Sequence, residues 1–154
     1  MAESDDLLLW HALDRLMADY WAEVDENGGR RAHEFYLPDA VYMIGHNRFE
    51  GRDKIAAFYE RRSHGTIDTR HVLSNVRAHA AGEGLARATG LMTLYRAHGE
   101  SPFQGARPPA MIADFEAACR KGEDGRWRFR SHILRPFMIG NDMPASIMIN
   151  PRNL

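Results

Sequence analysis

The sequence predicts an α+β fold, a cone-shaped barrel. A strongly curved, mixed or antiparallel sheet wraps around a long N-terminal helix and encloses a pocket. Three observations carry this reading. Apolar residues recur at helical spacing from Leu9 to Val24. From Ala40 the period changes to two, and four long segments rich in β-formers follow, at about 68–80, 84–98, 107–121 and 125–139. Gly-containing turns, Ala81-Gly82-Glu83-Gly84 and Gly122-Glu123-Asp124-Gly125, separate them. Helices followed by a meander of strands mean α+β. Long twisted strands curl around the one long helix and leave a pocket at the open end.

Ser4, as N-cap, with Asp5 and Asp6 in the first turn, opens the first helix. Leu9, Trp10, Leu13, Leu16, Met17, Tyr20, Trp21 and Val24 carry its apolar stripe over about residues 5–26, and Asn27-Gly28-Gly29 is its stop signal. Asp25 and Glu26 fall in the last turn, where the helix dipole disfavours a carboxylate by roughly a few tenths of a kcal/mol. At 100° per residue Asp25 lies at the edge of the apolar arc, near Trp21, and can look into whatever the helix covers. Residues 30–36 predict a short second helix ending in Phe35-Tyr36, before Leu37-Pro38. Val41–Ile44 reads as a strand, Gly45-His46-Asn47 as a turn and Arg48–Gly51 as a return strand. Arg52–Arg62 is helical again, with Ile55, Phe58 and Tyr59 on one side. The Ser101–Pro109 loop contains Phe103. Met143, Ile147, Met148 and Ile149 make the tail from Gly140 onward apolar, so it is expected to pack over the pocket mouth or on a partner subunit.

The 154 residues predict one domain, 1–154, large enough to bury a core without metals or disulfides. A net charge of −1 without basic or acidic blocks points away from nucleic acid and anionic membrane surfaces. The single Cys119 excludes an internal disulfide and suggests a reducing, cytoplasmic setting. No apolar run approaches the ~20 residues of a membrane span, and residues 1–10 lack the basic region of a signal peptide.

His71 lies in Thr69-Arg70-His71-Val72-Leu73-Ser74-Asn75-Val76. Alternation sets His71, Leu73 and Asn75 on one face and Arg70, Val72, Ser74 and Val76 on the other. Both faces are mixed, so His71 is either a hydrogen-bonded strand histidine or a base. If Asp25 accepts from one imidazole nitrogen, the tautomer is set and the other nitrogen is free as a general base. Arg128, Arg130 and His132 share a face of the last segment, read as solvated for the two arginines. His132 and Arg135, further into the apolar end, are candidates to stabilise an anion or a leaving group. Tyr20 on the helix stripe and Tyr42 on the first strand are hydroxyls able to hold a water or a carbonyl oxygen, and Asp114 is a further acid in an apolar strand. Trp21, Phe58, Asn75, Met92, Leu94 and Phe115 complete the candidate substrate contacts. There is no phosphate loop, dinucleotide fingerprint, nucleophile elbow or His-Glu-x-x-His, so no cofactor is expected. Cys119 is followed by Arg120-Lys121, which could lower a thiol pKa, but it lies near a strand end. His11, His33, His46, His64, His79 and His98 show no metal-ligand spacing.

Several stretches together resemble one family over about residues 5–139. They are the long helix ending in Val24-Asp25, the Pro38-Asp39-Ala40-Val41-Tyr42 approach to the first strand and Phe49-Glu50-Gly51-Arg52-Asp53-Lys54-Ile55 before the next helix. Arg70–Val76 and Gly125-Arg126-Trp127-Arg128-Phe129 complete the set. The chain is similar to SnoaL-like members of the nuclear-transport-factor-two-like superfamily. It resembles in particular the group of scytalone dehydratase, the bile-acid dehydratases and hexachlorocyclohexane dehydrochlorinase. That resemblance implies a catalytic dyad of Asp25 and His71, with Asn75 at a matching asparagine and Tyr20 at a pocket position. His132 stands where the dehydrochlorinase has an arginine. It implies a cofactor-independent lyase acting on a small, apolar, cyclic or aromatic substrate, by β-elimination or by carbon–carbon cleavage releasing an aldehyde. An isomerase using the same base, or a non-catalytic ligand-binding or assembly subunit with a filled cone, are the alternatives. A homodimer or homotrimer through the open sheet face is expected in each case.

Overall fold

In the computed structural model, residues 3–142 are described, and the tail from Met143 onward, with its expected lid role, lies outside them. The N-terminal helix α1 spans Glu3–Asn27 and buries Leu13, Leu16, Met17, Tyr20, Trp21 and Val24, the stripe that its spacing demands. Ser4 sits inside the helix, not before it, with Glu3, Asp5 and Asp6 facing the positive end of the dipole. The segment after it holds only a four-residue 3-10 turn, Ala32–Phe35. Tyr36, expected to end a second helix, is fully buried and instead opens strand β1, Tyr36–Ile44. Pro38 in that stretch disfavours helix for the residue before it, which is why extended backbone starts early.

Strand β2 (Asn47–Glu50), helix α2 (Arg52–Ser63), and strands β3 (Ile67–Ala80), β4 (Leu85–His98), β5 (Met111–Lys121) and β6 (Trp127–Ile139) follow. They form one strongly curved six-stranded sheet in the order β2-β1-β6-β5-β4-β3. All neighbours are antiparallel except β1 and β6, which run parallel with Tyr42 opposite His132, so the sheet is mixed. α1 packs most closely against β3. The core lies between α1, α2 and the concave face, where Tyr42, Met92, Leu94, Ala113, Phe115, Phe129 and Leu134 point inward.

Simple alternation fails along β3. Pairing with β4 shifts register between Ser74 and Arg77, and Asn75 there takes a left-handed φ of 54°. Such a bulge reverses the faces beyond it. Thr69, His71 and Leu73 face inward before it, and Val76 and Ala78 pack on the core after it. Among the described residues no helix is long and apolar enough to cross a membrane.

Candidate active site

α1 stops because Gly28 and Gly29 take φ values of 67° and 75°, and the Gly29 N–H donates to the Glu23 carbonyl at 3.0 Å. Gly29 is also tight in space, because a Cβ there would collide with Cδ1 of Tyr59. This stop leaves Asp25 beside β3, whose inward positions two apart, Thr69 and His71, both reach it. Asp25 Oδ1 accepts from Thr69 Oγ1 at 2.8 Å and pairs with His71 Nδ1 at 2.6 Å, and Oδ2 accepts the His71 backbone N–H at 2.8 Å. The two side chains are 8% and 7% exposed. Burial pushes the Asp25 carboxyl up, but the hydrogen bonds and charge of His71, with Thr69, outweigh it and hold it below its ordinary value. Burial pulls the imidazole below its usual pKa, and the nearby Arg62 adds to this against the opposing pull of Asp25. The pair is thus carboxylate and neutral imidazole. A carboxylate can only accept, so Nδ1 carries the proton and Nε2 keeps its lone pair.

The pair opens into a cavity of about 460 Å³, within the range of small-molecule sites. Trp21 stacks on His71, ring centroids 4.0 Å apart and 12° from parallel. Its Nε1 is, among the described residues, the one buried side-chain nitrogen or oxygen without a hydrogen-bond partner. Tyr42, Phe58, Tyr59, Met92, Leu94, Met111 and Leu134 supply apolar and aromatic wall. Two cations also line it. Arg96 is engaged, donating from Nη1 to the Asp142 carbonyl at 3.0 Å and its Oδ1 at 3.3 Å. Arg62 of α2 donates from Nη2 to Thr69 Oγ1 at 3.1 Å and forms no ion pair among the described residues.

Behind the wall lies a buried chain of phenols. Tyr59 bonds closely to Tyr20, Tyr36 donates to Tyr20 at 2.9 Å, and Tyr36 meets His132 Nδ1 at 3.0 Å. Tyr59 also lies 3.5 Å from the Tyr42 hydroxyl. Burial raises the pKa of all four tyrosines well above the ordinary value, and it lowers His132 to about 3. The cluster is neutral. His132 therefore cannot serve as the anion-binding cation expected of it, because imidazolium is too costly at that depth.

A SnoaL-like domain model matches residues 5–132. The chain belongs to the SnoaL-like domain family. A comparison with curated proteins gives no match. Among solved structures, this SnoaL-like chain superposes on a Novosphingobium aromaticivorans protein named "Putative Scytalone Dehydratase" with a TM-score of 0.77. Identity is 20%, over 90% of this chain and 91% of that one. ActVI-ORFA from Streptomyces coelicolor gives a TM-score of 0.73 at 16% identity, covering 84% and 97%. An NTF2-like protein with a cystatin-like fold, also from Novosphingobium aromaticivorans, gives 0.67 at 18% identity, covering 93% and 91%. At such identities the likeness is one of fold.

On this SnoaL-like scaffold the structure sorts the candidates into three groups. Asp25, His71, Trp21, Tyr42, Phe58, Met92 and Leu94 line one cavity. Tyr20, His132 and Phe115 are buried behind its wall and do not line it. Asn75 and Arg135 are exposed and lie away from it, Asn75 because the bulge turns it outward and Arg135 because its strand position faces out beside Asp114. Burial pushes the Cys119 thiol up to about 12, so Arg120 and Lys121 do not activate it. Sequence reasoning missed Thr69, Tyr59, Arg62 and Arg96. The inward spacing of Thr69 and His71 could have signalled Thr69; the arginines gave no signal, since charged residues at helix and strand ends read as solvated. No group of three or more His, Cys, Asp or Glu suited to a metal occurs among the described residues.

Proposed function

We propose that this protein is a cofactor-independent lyase acting on a small, largely apolar, cyclic or aromatic molecule. One observation carries the reading: the 2.6 Å contact of His71 Nδ1 with an ionised Asp25 inside a cavity, which leaves Nε2 as a base. Nε2 takes a proton from a carbon next to a carbonyl or an aromatic ring. The C–H electron pair becomes the new π bond, and a β-substituent departs with its own pair, a hydroxide leaving as water once protonated. In the carbon–carbon variant Nε2 instead takes the proton of a hydroxymethyl O–H. The O–H pair becomes the C=O of the released small aldehyde, the C–C pair becomes the new C=C π bond, and the β-substituent departs with its own pair. Asp25 sets the tautomer and stabilises the imidazolium that forms. Tyr42, neutral and buried at the wall, accepts from Tyr59 and keeps its own O–H as a donor for a substrate oxygen. The open cavity favours this over an assembly subunit with a filled cone.

Proton abstraction is tested directly by solvent deuterium exchange at the α-carbon of cyclic aromatic ketones such as 1-tetralone, followed by NMR. The wild type should exchange at least about 10²-fold faster than His71→Ala, the lower end of general-base contributions. Equal rates in the two proteins would remove His71 as the base.

A further inference from the structure

We propose that Arg62 is the oxyanion-binding residue of this cavity, and that the substrate is a carbonyl compound whose oxygen it receives as an enolate forms. Charge balance is the first ground. At rest the cavity wall holds Asp25 as a carboxylate, His71 as neutral imidazole and Arg62 as a guanidinium. Asp25 already accepts from three donors on its two oxygens. Arg62 has capacity left: Thr69 Oγ1 takes one of its five N–H groups, and no carboxylate pairs with it among the described residues. Removing a proton from carbon creates two charges, an imidazolium at His71 and an enolate on the ligand. Asp25 already faces the first. Arg62 is the cation left to face the second.

Position agrees with that role. The Thr69 hydroxyl links the Arg62 guanidinium to Asp25, so cation and dyad share one corner of the cavity. Its charge acts on His71, Tyr42 and Tyr59 alike, all of which line the cavity. Glu26 and Asp68 also line the opening, but both are exposed, where water and salt screen them. Arg96 is held by Asp142. The wall thus sets this cation beside the neutral hydroxyls of Tyr42 and Tyr59. A carbonyl oxygen becoming an oxyanion satisfies such a wall, and its bond to a guanidinium strengthens as charge develops. The electrons balance: the C–H pair moves into a C–C π bond, the carbonyl pair moves onto oxygen, and their return expels the β-substituent.

The inference rests on the proton-abstraction reading for its chemistry, so its test reads ionisation of a bound ligand rather than turnover. 4-Nitrophenol carries an oxygen that becomes anionic near neutral pH, and its absorbance at 400 nm reports the phenolate. Bound to the wild type, its pKa should fall by at least about one unit, a tenfold preference for the anion. The shift should persist in His71→Ala, disappear in Arg62→Gln and survive in part in Arg62→Lys. It should also persist in Thr69→Val, which breaks the Arg62–Thr69 link but leaves the cation. A bound pKa that is unchanged or raised in the wild type, an absence of saturable binding, or a shift retained in Arg62→Gln would each overturn the proposal. So would equal losses in Thr69→Val and Arg62→Gln, since Arg62 would then only brace Thr69. If Arg62→Gln does not fold by circular dichroism, the wild-type shift and its partial retention in Arg62→Lys decide. Loss of exchange activity in His71→Ala with the nitrophenol shift intact separates this inference from the dyad.

Discussion

Replacing Asp25 by Asn keeps the shape of the side chain and removes its charge, and the hydrogen-bond geometry dictates the consequences. The carboxylate faces three donors: Thr69 Oγ1 and His71 Nδ1 at one oxygen, and the His71 backbone N–H at the other. A carboxamide has one oxygen and one NH₂, so one side must now meet donor with donor. If the amide oxygen takes the Oδ1 place, the NH₂ opposes the His71 backbone N–H and leaves it unsatisfied. If the amide turns over, the NH₂ forces His71 to accept at Nδ1, and the proton moves to Nε2, the nitrogen needed as base. Losing charge-assisted bonds of roughly 1.5–3 kcal/mol each is partly offset by the lower desolvation of a neutral amide, which leaves a net loss of about 2 kcal/mol. With a urea slope of ~1–3 kcal/mol per M, the unfolding midpoint should drop by roughly 1 M. Urea titration followed by fluorescence measures the first quantity, and nitrogen-15 shifts of the His71 ring report the tautomer. Deuterium exchange should fall by about 10²–10⁴, the full contribution of a general base. An unchanged midpoint, together with a ring still protonated at Nδ1 and exchanging at the wild-type rate, would refute the reasoning.

Acid should weaken the fold already between pH 7 and 5. His132 stays neutral down to about 3, whereas an unfolded histidine binds a proton near 6.5, so the unfolded state holds more protons in that window and stability falls with pH. Between pH 7 and 5 the loss from this residue is about 2 kcal/mol, with the lowered His71 adding in the same direction, and urea midpoints at the two values read it. His132→Phe should flatten the dependence, and an equally steep slope in that variant would contradict the assignment. Gly29→Ala combines a left-handed φ with a Cβ driven into the Tyr59 ring, a loss of roughly 2 kcal/mol and several degrees in melting temperature. Gly125→Ala has the same backbone strain with nothing within 4 Å, so the excess loss at Gly29 isolates the collision, and equal losses would show that there is none.

What the sequence determined by itself is what short-range periodicity and chain stops determine. Leu13, Leu16, Met17, Tyr20, Trp21 and Val24 can bury together only on one helix face, and paired glycines in left-handed geometry must end that helix just beyond Asp25. Segments of period two separated by glycine turns had to become strands, and the curved α+β fold followed. The resemblance already paired Asp25 with His71, and the structure shows the contact. Tertiary structure decided what depends on register and depth. A single left-handed residue at Asn75 reverses the faces of β3, so alternation placed Asn75 inward where the sheet turns it out. His132 reads from its strand as a polar group near a ligand. Only the packing of Tyr20, Tyr36 and Phe129 around it shows that it is sealed from water and kept neutral. Arg62 reads as one of several charges at a helix end, and only the approach of β3 brings Thr69 to its guanidinium and sets the residue at the cavity wall. Local chemistry writes the elements and their faces; the field that a side chain feels is the sum over neighbours that the chain brings together from far apart.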